Sequence, residues 1–506
     1  NLYIKYRMKN NFFYLDNIDA DLVEFDFCII GSGPAAMSLT SKFLDTDISI
    51  CILESGNKKL TSSHLRLNEA LSVGEREVDA LNSRPRQYGG SSQVWAGTSA
   101  PFSIHEFENR PELGVEGWPI SWYEIIDYYQ EACNLTGVEW KDFNKPLSEL
   151  DTQLANVFEE IPGSNLRSNN YFAAKHKDLT KLLKKKIENS SNIKIFLNAT
   201  VSKISSDGGI VKNVNARSID GKKIKINAKF FVICAGTLET TKILLNSDIF
   251  SGGSNCLGKN FMTHPAFTDL GIIKLNKKTK NWIKKSSLKK KIDFELNFDQ
   301  QKKLKILRHN ITMVPNYEKI KIKIKNLVQL KFVTNLIFFS LDLFFRFFGK
   351  RMWTDEWSVC VGIEQEPISK RRLTLSKEID AFGSHKLIID AGKLSELEEK
   401  TILCALDVLK KDLIEKGVGE LILSENFLSK DYLKNQDPIN HHIGTVKMGL
   451  DSKNAVVDEN LKVFEHKNLF ISSSAVFPTS SNANPTLTII ALSLRLADHL
   501  KNIFEK

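Results

Sequence analysis

The sequence predicts an α/β protein in which one domain is interrupted by a second domain. A strand, a glycine-rich turn, a helix and a second strand follow one another over residues 25–54, which is the order of a parallel βαβ unit. Residues 271–435 have a different sequence pattern, with alternating lysines and isoleucines and one long stretch of helical periodicity. Residues 436–506 return to a strand, a polar turn and a helix. A chain of 506 residues is long enough for two or more domains with separate cores.

The composition limits the class of protein. Hydrophobic residues make up 42% and charged residues 26% of the chain, which excludes a disordered chain, a collagen-like fibre and a small disulfide-stapled scaffold. Seven cysteines are scattered and never occur as Cys-x-x-Cys, so we expect no zinc or other metal site and no disulfide framework. This cysteine usage is typical of a reducing compartment, and no secretory leader pattern opens the chain. The sequence therefore predicts a cytoplasmic protein.

The basic excess is unevenly distributed along the chain. The net charge is +10, and lysines crowd the stretch 274–325. This stretch lacks the interleaved aromatic residues of single-strand binders, and the chain has no zinc-finger or RNA-recognition signature. We therefore expect a solvated basic surface and no nucleic-acid partner.

The segment Phe332–Phe348 is strongly apolar and rich in phenylalanine. It carries Asn335, Asp342 and Arg346 and is shorter than the about 20 apolar residues that a membrane-spanning helix needs. Two interpretations stay open. The segment packs inside the protein, or it makes peripheral contact with a membrane or a hydrophobic partner, which the preceding lysines would favour at an anionic surface.

The N-terminal βαβ unit carries a dinucleotide-binding fingerprint. After the strand Phe25–Ile30, Gly31 permits a tight turn, and Gly33 lets the backbone approach a pyrophosphate at the helix N-terminus. Ala36 stands in place of the third glycine and keeps the helix close to the strand. Glu54 ends the second strand 21 residues after Gly33, where a carboxylate accepts hydrogen bonds from a ribose. This Rossmann-like pattern predicts FAD or NAD in preference to NADP.

Further motifs follow the fingerprint in order, and they are Tyr88–Gly97 (YGGSSQVWAG), Leu257–Pro265 (LGKNFMTHP), Glu364–Pro367 (EQEP), His441–Gly449 (HHIGTVKMG) and Asn484–Thr488 (NPTLT). Together with the fingerprint they resemble the glucose–methanol–choline family of FAD-dependent oxidoreductases. The resemblance runs over residues 22–503 and is thin across 270–355. The sequence GWPIS at residues 117–121, followed by a tyrosine pair at 128–129, is similar to the bacterial branch related to pyranose oxidases.

The resemblance implies an α/β fold with a Rossmann-like FAD-binding domain and a discontinuous antiparallel-sheet substrate domain. Residues 22–105, 195–270 and 436–504 would form the FAD-binding domain. Residues 106–194 would form a connecting or lid segment, and residues 271–435 the substrate-binding domain. The implied chemistry is oxidation of a CH–OH group of a sugar or another alcohol, in which a base takes the hydroxyl proton and a hydride passes to flavin N5.

The resemblance also assigns catalytic residues. His441 matches the active-site histidine, and a neutral imidazole suits the role of a base. Asn484 matches a position that carries a second histidine or an asparagine, and its amide would hold the alcohol oxygen beside the base. We expect His442 to point elsewhere, His264 to be structural, and the pair Glu364–Gln365 to lie on a substrate-domain strand and to line the pocket.

Cofactor contacts are implied along the whole chain. Besides the fingerprint, the residues matched to FAD contacts are Gly89, Gly90, Ser91, Ser92, Ala96, Gly97, Val201, Ser473, Pro485 and Thr486. The small residues after Tyr88 suit close contact with a flavin, and the helix start at Thr486 would stabilise negative charge on it. Ser473 stands where relatives often have Asp or Gly. Val94 occupies the position at which pyranose oxidases carry a flavin-linked histidine, so we expect FAD to be bound non-covalently.

Two alternative functions stay open at this stage. His441 and Asn484 would also suit a flavin-containing lyase of the same fold. A membrane-associated dehydrogenase acting on a bulky apolar alcohol would use Phe332–Phe348 as its docking segment. The electron acceptor (oxygen, a quinone or a protein), the oligomeric state and the identity of the alcohol do not follow from the sequence.

Overall fold

A computed structural model describes residues 11–18, 22–140, 165–168, 171–247, 249–250, 256–280, 292–316, 356–433, 436–437 and 440–505. The segment Phe332–Phe348 lies outside the described residues, as does part of the lysine-rich stretch. All seven cysteines lie inside the described ranges, and none of them takes part in a disulfide.

The strands of the described residues are numbered in chain order, and they are β1 Phe12–Tyr14, β2 Leu22–Ile30, β3 Ile50–Leu53, β4 Ala70–Val73, β5 Thr98–Ser99, β6 Leu166–Ser168, β7 Phe172–Ala173, β8 Ile193–Leu197, β9 Thr200–Asp207, β10 Ile210–Arg217, β11 Lys223–Ile233, β12 Ala266–Leu275, β13 Ile292–Leu296, β14 His309–Pro315, β15 Glu356–Ile363, β16 Arg372–Ile379, β17 His385–Asp390, β18 Gly419–Leu423, β19 Gln436–Asp437 and β20 Leu469–Ile471. The α-helices of the same ranges are Pro34–Ser41, Ser62–Arg66, Ile104–Phe107, Trp122–Thr136, Leu179–Asn189, Gly236–Ser247, Phe298–Leu304, Glu396–Glu415, Glu425–Leu428 and Thr486–Phe504.

The main sheet combines a parallel part with an antiparallel part. Within the described residues its strand order is β1-β8-β3-β2-β11-β10-β9, with β20 also beside β11. Pairing is parallel from β1 to β11 and between β11 and β20, whereas β10 runs antiparallel to both β11 and β9. The runs Phe27–Ile30 and Ile50–Leu53 are fully buried. Continuous apolar runs of this kind are typical of parallel strands that are covered on both faces.

An antiparallel sheet forms the second large element of the fold. Its order among the described strands is β18-β12-β15-β14-β13-β6, with β19 also paired to β12. The helix Glu396–Glu415 packs on this sheet through buried residues that include Ile402, Leu406 and Leu409, which recur at helical spacing. A capping box fixes where the helix begins, because Ser395 and Glu398 satisfy each other's backbone N–H groups.

A smaller sheet connects two distant parts of the chain. Strand β17 pairs in antiparallel with β16 and in parallel with β4. Strand β4 lies in the range predicted for FAD binding, and β17 lies in the range predicted for the substrate domain. Strand β6, from the predicted connecting segment, likewise joins the second sheet. The exact division into domains therefore stays a prediction, although the parts are packed together.

The predicted α/β fold class is confirmed, with a parallel Rossmann-like unit and an antiparallel second sheet. Two strands of the main sheet were not predicted. Strand β1 is only three residues long, and β9 has a largely polar sequence instead of a continuous apolar run. Within the described ranges, no helix has both the length and the apolar character needed to cross a bilayer.

Candidate active site

A cavity of about 460 Å³ opens where several strands of the main sheet end. Its wall includes residues that directly follow β2, β3, β11 and β20, namely Gly31–Ala35, Glu54–Ser55, Cys234–Glu239 and Ser473–Ser474. The carboxyl ends of parallel strands meet at one edge of a sheet, and this edge is where open α/β folds bind ligands. The topology of the main sheet therefore places the candidate site.

The first glycine turn has the geometry that the fingerprint requires. Gly31 has φ +101°, and a Cβ there would lie 2.6 Å from the carbonyl oxygen of Cys234, so a larger residue would collide with the neighbouring strand connection. A Cβ at Gly33 would meet no atom within 4 Å, although Gly33 lines the cavity. The helix Pro34–Ser41 begins at this point, so that its free N–H groups lie beside the open space.

Glu54 is buried at the cavity wall and is held by two hydrogen bonds. One carboxylate oxygen accepts from the Ser32 hydroxyl, and the other accepts from the Gly56 backbone N–H at 2.7 Å. Burial raises the pKa of Glu54 above its ordinary value. Each carboxylate oxygen has a second lone pair, so Glu54 keeps acceptor capacity toward the cavity.

The second glycine loop packs against the first. The backbone N–H of Gly89 donates to the Ser32 hydroxyl at 3.0 Å, and the hydroxyl of Ser92 donates to the Gly89 carbonyl at 2.7 Å. A Cβ at Gly90, which has φ +51°, would lie 3.2 Å from the Cα of Gly33. Small residues are needed here because two backbone segments approach each other beside the cavity.

The structure brings most of the predicted cofactor residues to one cavity. Those that line it are Gly31, Gly33, Glu54, Gly90, Ser91, Ala96, Val201, Ser473, Pro485 and Thr486. Four predicted residues do not line it, and they are Ala36, Gly89, Ser92 and Gly97. Ala36 is buried within its helix, and a Cβ at Gly97 would collide with Lys177. Gly89, Ser92 and Gly97 belong to the loop that carries part of the cavity wall, whereas Ala36 packs inside the helix that begins at it.

The donor and acceptor groups of this end fit a dinucleotide such as FAD. A helix N-terminus and a glycine-lined opening suit a pyrophosphate, and a carboxylate suits a ribose. The start of the helix Thr486–Phe504 lies at the same cavity, where free N–H groups can stabilise negative charge. Val94 also lines the cavity, with 64% of its surface exposed.

Two arginines at the cavity were missed by the sequence analysis. Arg86 donates to Asn68 and to Ser55 at 3.0 Å each, and it pairs with Glu239 at 2.5 Å. Arg84 lies 3.5 Å from the same glutamate, and burial lowers the pKa of Arg84 to about 10. The sequence feature that could have indicated these residues is a pair of arginines two positions apart, just before the second glycine loop.

Backbone pairing places His441 beside the Thr-His-Pro motif. Met262 and Ile443 exchange N–H···O hydrogen bonds of 3.0 and 2.9 Å in an antiparallel bridge. Two residues beyond this bridge on each segment, His264 and His441 stand opposite each other. The next turn is tight, because a Cβ at Gly444 would lie 2.1 Å from the Asn260 carbonyl oxygen.

His441 has polar partners on both ring nitrogens. Its Nδ1 lies 3.0 Å from Nδ1 of His264, and its Nε2 lies 3.4 Å from the amide nitrogen of Asn484. Burial, followed by the neighbouring His264 and His442, lowers the pKa of His441 well below its ordinary value. His441 and Asn484 both line the cavity. The site therefore contains a neutral imidazole with a carboxamide beside it.

The loop before Asn484 is anchored to the second large sheet. Ser481, which has φ +55°, donates its hydroxyl to Glu106 at 2.6 Å, and Asn482 donates to the His309 carbonyl at 2.6 Å. Glu106 in turn pairs with Arg308 at 2.5 Å. These contacts fix a loop that ordinary turn composition would leave undetermined.

His442 also lines the cavity, contrary to the expectation that it points elsewhere. Its ring stacks on Phe261 with a centroid separation of 6.0 Å, and its carbonyl accepts from Thr237 and Ser474. Burial, followed by the charge of Arg84, lowers the pKa of His442 to about 3. Both histidines thus belong to the wall of the same cavity, but their side chains have different partners.

The pair Glu364–Gln365 was predicted to lie on a strand and to line the pocket, but β15 ends at Ile363, so the pair follows the strand, and neither residue lines the cavity. Glu364 accepts two hydrogen bonds from Arg110, at 2.6 and 2.7 Å, and one from the Arg308 backbone. Gln365 accepts from the backbone N–H of Thr263 at 2.7 Å. Both side chains therefore hold neighbouring segments in place instead of facing the cavity.

Comparison with known proteins gives matches along the chain. The GMC oxidoreductase family model matches residues 92–266 with its N-terminal part and residues 398–493 with its C-terminal part. The two matches together cover more than half of the chain.

The chain is similar to curated dehydrogenases and oxidases. It is 26% identical to the fructose dehydrogenase large subunit of Gluconobacter japonicus over 324 residues, which are 61% of this chain and 54% of that protein. It is 41% identical to C-glycoside 3-oxidase of Microbacterium trichothecenolyticum over 61 residues, which are 12% of each. The chain thus spans about half the length of the first relative and a smaller share of the second.

A solved structure has the same fold over nearly the whole chain. Pyridoxine 4-oxidase from Mesorbium loti superposes with a TM-score of 0.61 at 16% sequence identity, covering 94% of this chain and 99% of that one. At this identity the likeness concerns the fold.

Proposed function

Because the chain belongs to the glucose–methanol–choline (GMC) oxidoreductase family, whose members are FAD-dependent oxidoreductases, we propose that it oxidises a CH–OH group of a sugar or another alcohol. In this proposal His441 is the base that takes the hydroxyl proton. Asn484 is the residue that holds the alcohol oxygen beside it.

One observation carries the proposal. His441 Nε2 and the Asn484 amide nitrogen lie 3.4 Å apart, at the same cavity as the fingerprint glycines and Glu54. These residues come from segments far apart in the sequence. An imidazole that is neutral at pH 7, because its pKa is lowered, can accept a proton, whereas a protonated imidazole cannot.

Two residues of the chain would take the hydroxyl proton of the alcohol and orient its oxygen. The alcohol hydroxyl would donate to Nε2 of His441, and the Asn484 amide would turn its N–H from that nitrogen to the alcohol oxygen. As the O–H bond breaks, its proton stays on Nε2 and its electron pair forms the carbonyl bond while the C–H bond is lost. The chemistry that FAD supplies when bound is acceptance of the hydride from that carbon.

A sugar or a small polyol is the substrate class that the relatives favour. The similarity to a fructose dehydrogenase subunit and to a C-glycoside 3-oxidase supports it. The exposed residue Asn440, next to His441 in the cavity wall, can hydrogen-bond an additional hydroxyl. A bulky apolar alcohol is the competing class.

The test is a panel of alcohols mixed anaerobically with the FAD-loaded protein. The panel contains D-fructose, D-glucose, a C-glycoside, 1,2-propanediol and a long-chain primary alcohol, and flavin absorbance reports reduction. We expect a sugar or polyol to bleach the flavin and to yield the carbonyl product in equal amount. Bleaching by none of these alcohols would favour the lyase alternative, in which no hydride moves, and bleaching by the long-chain alcohol alone would assign the apolar class.

We further propose that FAD is bound non-covalently. The aliphatic side chain of Val94 has no nucleophile with which to link the flavin, and it stands at the position where a linked histidine occurs in similar proteins. Denaturing the yellow protein in acid should release all of the FAD into the supernatant. Flavin that stays with the precipitate would contradict the proposal, and Val94→His is the matched variant for testing whether linkage can be introduced.

A further inference from the structure

His264 connects the two loops that carry His441 and Asn484. Its Nδ1 lies 3.0 Å from Nδ1 of His441, and its Nε2 lies 2.9 Å from the carbonyl oxygen of Ser480. Ser480 belongs to the loop that ends at Asn484. The imidazole is 5% exposed, so these two contacts are made away from bulk water.

The backbone determines this arrangement. In the antiparallel bridge of Met262 with Ile443, residues two positions beyond the bridge on each segment stand opposite each other. This register pairs His264 with His441. Opposite residues on one face of an antiparallel pair have their Cβ atoms about 4.5–5.5 Å apart, which suits a direct ring-to-ring hydrogen bond. The two rings are nearly perpendicular, with centroids 5.0 Å apart.

The hydrogen-bond partners determine which nitrogen carries each proton. A carbonyl oxygen accepts but never donates, so Nε2 of His264 must carry a proton to bond Ser480. Burial lowers the pKa of His264 to about 4, so the ring is neutral at pH 7 and its Nδ1 is a bare acceptor. The proton between the two Nδ1 atoms must therefore belong to His441.

A neutral His441 protonated on Nδ1 has a bare Nε2. Asn484 agrees with this assignment, because its amide N–H group points to Nε2 at 3.4 Å and can only donate. Nε2 is the nitrogen beside Asn484, which also lines the cavity, and the proposed alcohol would lose its proton to it. The other tautomer would place a hydrogen on Nε2 and leave no lone pair for that proton.

We propose that His264 is a positioning residue that holds His441 in the Nδ1–H tautomer and thereby presents its Nε2 as the base. This inference rests on the proposed function for its catalytic meaning, whereas the tautomer itself does not depend on it. His264 carries no charge in this role. It selects the tautomer by presenting its bare Nδ1 as an acceptor to His441, and its bond to the Ser480 carbonyl couples the orientation of His441 to the loop of Asn484.

Two substitutions of nearly equal size separate this role from simple packing. His264→Asn keeps an acceptor oxygen close to the position of Nδ1, and His264→Leu removes it. Both lose the bond to Ser480 and both leave a similar gap. FAD content and thermal unfolding of each holoenzyme are measured first, and we expect the two variants to be alike in both.

The direct readout is the tautomer of His441. Holoenzyme labelled with ¹⁵N-histidine gives long-range proton–nitrogen correlations in which protonated and bare ring nitrogens have separate shifts, and His441→Gln assigns the signals of His441. We expect Nδ1–H with a bare Nε2 in the unsubstituted protein and in His264→Asn. In His264→Leu we expect the Nε2–H form to become populated. This measurement needs no substrate, so it stands even if no alcohol of the panel is oxidised.

The second readout is anaerobic flavin reduction by the panel alcohol that reduces the unsubstituted protein. We expect His264→Leu to be slower by about 10²-fold, within the range of a positioned base, and His264→Asn to recover most of that loss. Equal rates for the two variants would overturn the proposal, as would Nε2–H in the unsubstituted protein. If one of the variants fails to bind FAD, the His441 tautomer measured in the unsubstituted protein still tests the proposal: Nδ1–H supports it and Nε2–H overturns it.

Discussion

The two ends of the cavity are built in opposite ways. The nucleotide end, with Gly31, Gly33 and Glu54, comes from one βαβ unit whose shape follows from local backbone geometry. The catalytic end, with His441 and Asn484, is assembled from loops that meet only in the folded chain. Substitutions at the nucleotide end should therefore act on FAD retention, and those at the catalytic end on turnover.

The largest expected effect is at His441. His441→Ala should slow anaerobic flavin reduction by about 10²–10⁴-fold, the usual worth of a positioned base, with FAD still bound. Stopped-flow reduction of the FAD-loaded variant measures it. His442→Ala is the companion variant, because His442 shares the cavity but stacks on Phe261, and we expect its rate to stay within about tenfold. If His442→Ala were the slower of the two variants, the base would be His442 and not His441.

At the other end of the cavity, Glu54→Ala should weaken FAD binding by roughly 1–3 kcal/mol, which is about 5- to 150-fold in Kd. The variant removes the ribose acceptor and also the acceptor of Ser32 and Gly56. Fluorescence titration of the apoprotein with FAD measures the affinity, and Glu54→Gln keeps one acceptor oxygen as a control. When it is saturated with FAD, the Glu54→Ala variant should show the same rate of flavin reduction as the unsubstituted protein. A much lower rate would show that the two ends of the cavity do not act separately on FAD binding and turnover.

A smaller effect is expected at Asn484. Asn484→Ala should slow flavin reduction by roughly tenfold, because one orienting hydrogen bond of about 1 kcal/mol is lost while the loop keeps its anchors at Ser481 and Asn482. Asn484→Asp sharpens the test, since it keeps the size but replaces the donor with an anion that repels a developing alkoxide. We expect Asp to be slower than Ala. The opposite order would show that Asn484 does not donate to the alcohol oxygen.

The smallest expected effect is a displacement of the pH profile. Burial, followed by His264 and His442, lowers the pKa of His441, and Glu364 acts on His264 in the opposite direction. The neutral form that accepts a proton dominates above the pKa, so kcat/KM should be flat near pH 7 and fall only on the acid side, below the ordinary value of about 6.5. A break above 6.5 in the pH dependence of kcat/KM would contradict a buried neutral base.

The sequence by itself determined the nucleotide end. Gly31, Gly33 and Glu54 could be predicted from their spacing, because the tight turn, the helix start and the strand end that carry them are all local features. The parallel sheet followed from apolar runs such as Ile50–Leu53, which are apolar on both faces. The antiparallel second sheet and the residues His441 and Asn484 were reached through resemblance to a family, since no local pattern distinguishes an active histidine from an ordinary one.

Only the tertiary structure decided how the catalytic end is arranged. The sequence motifs did not show that Nδ1 of His264 lies 3.0 Å from Nδ1 of His441, or that His442 belongs to the cavity wall. In the folded chain, Glu364 also forms an ion pair with Arg110. Side-chain hydrogen bonds between segments more than 100 residues apart depend on the register of Met262 with Ile443, and that register is set by long-range packing, which no spacing within one motif encodes.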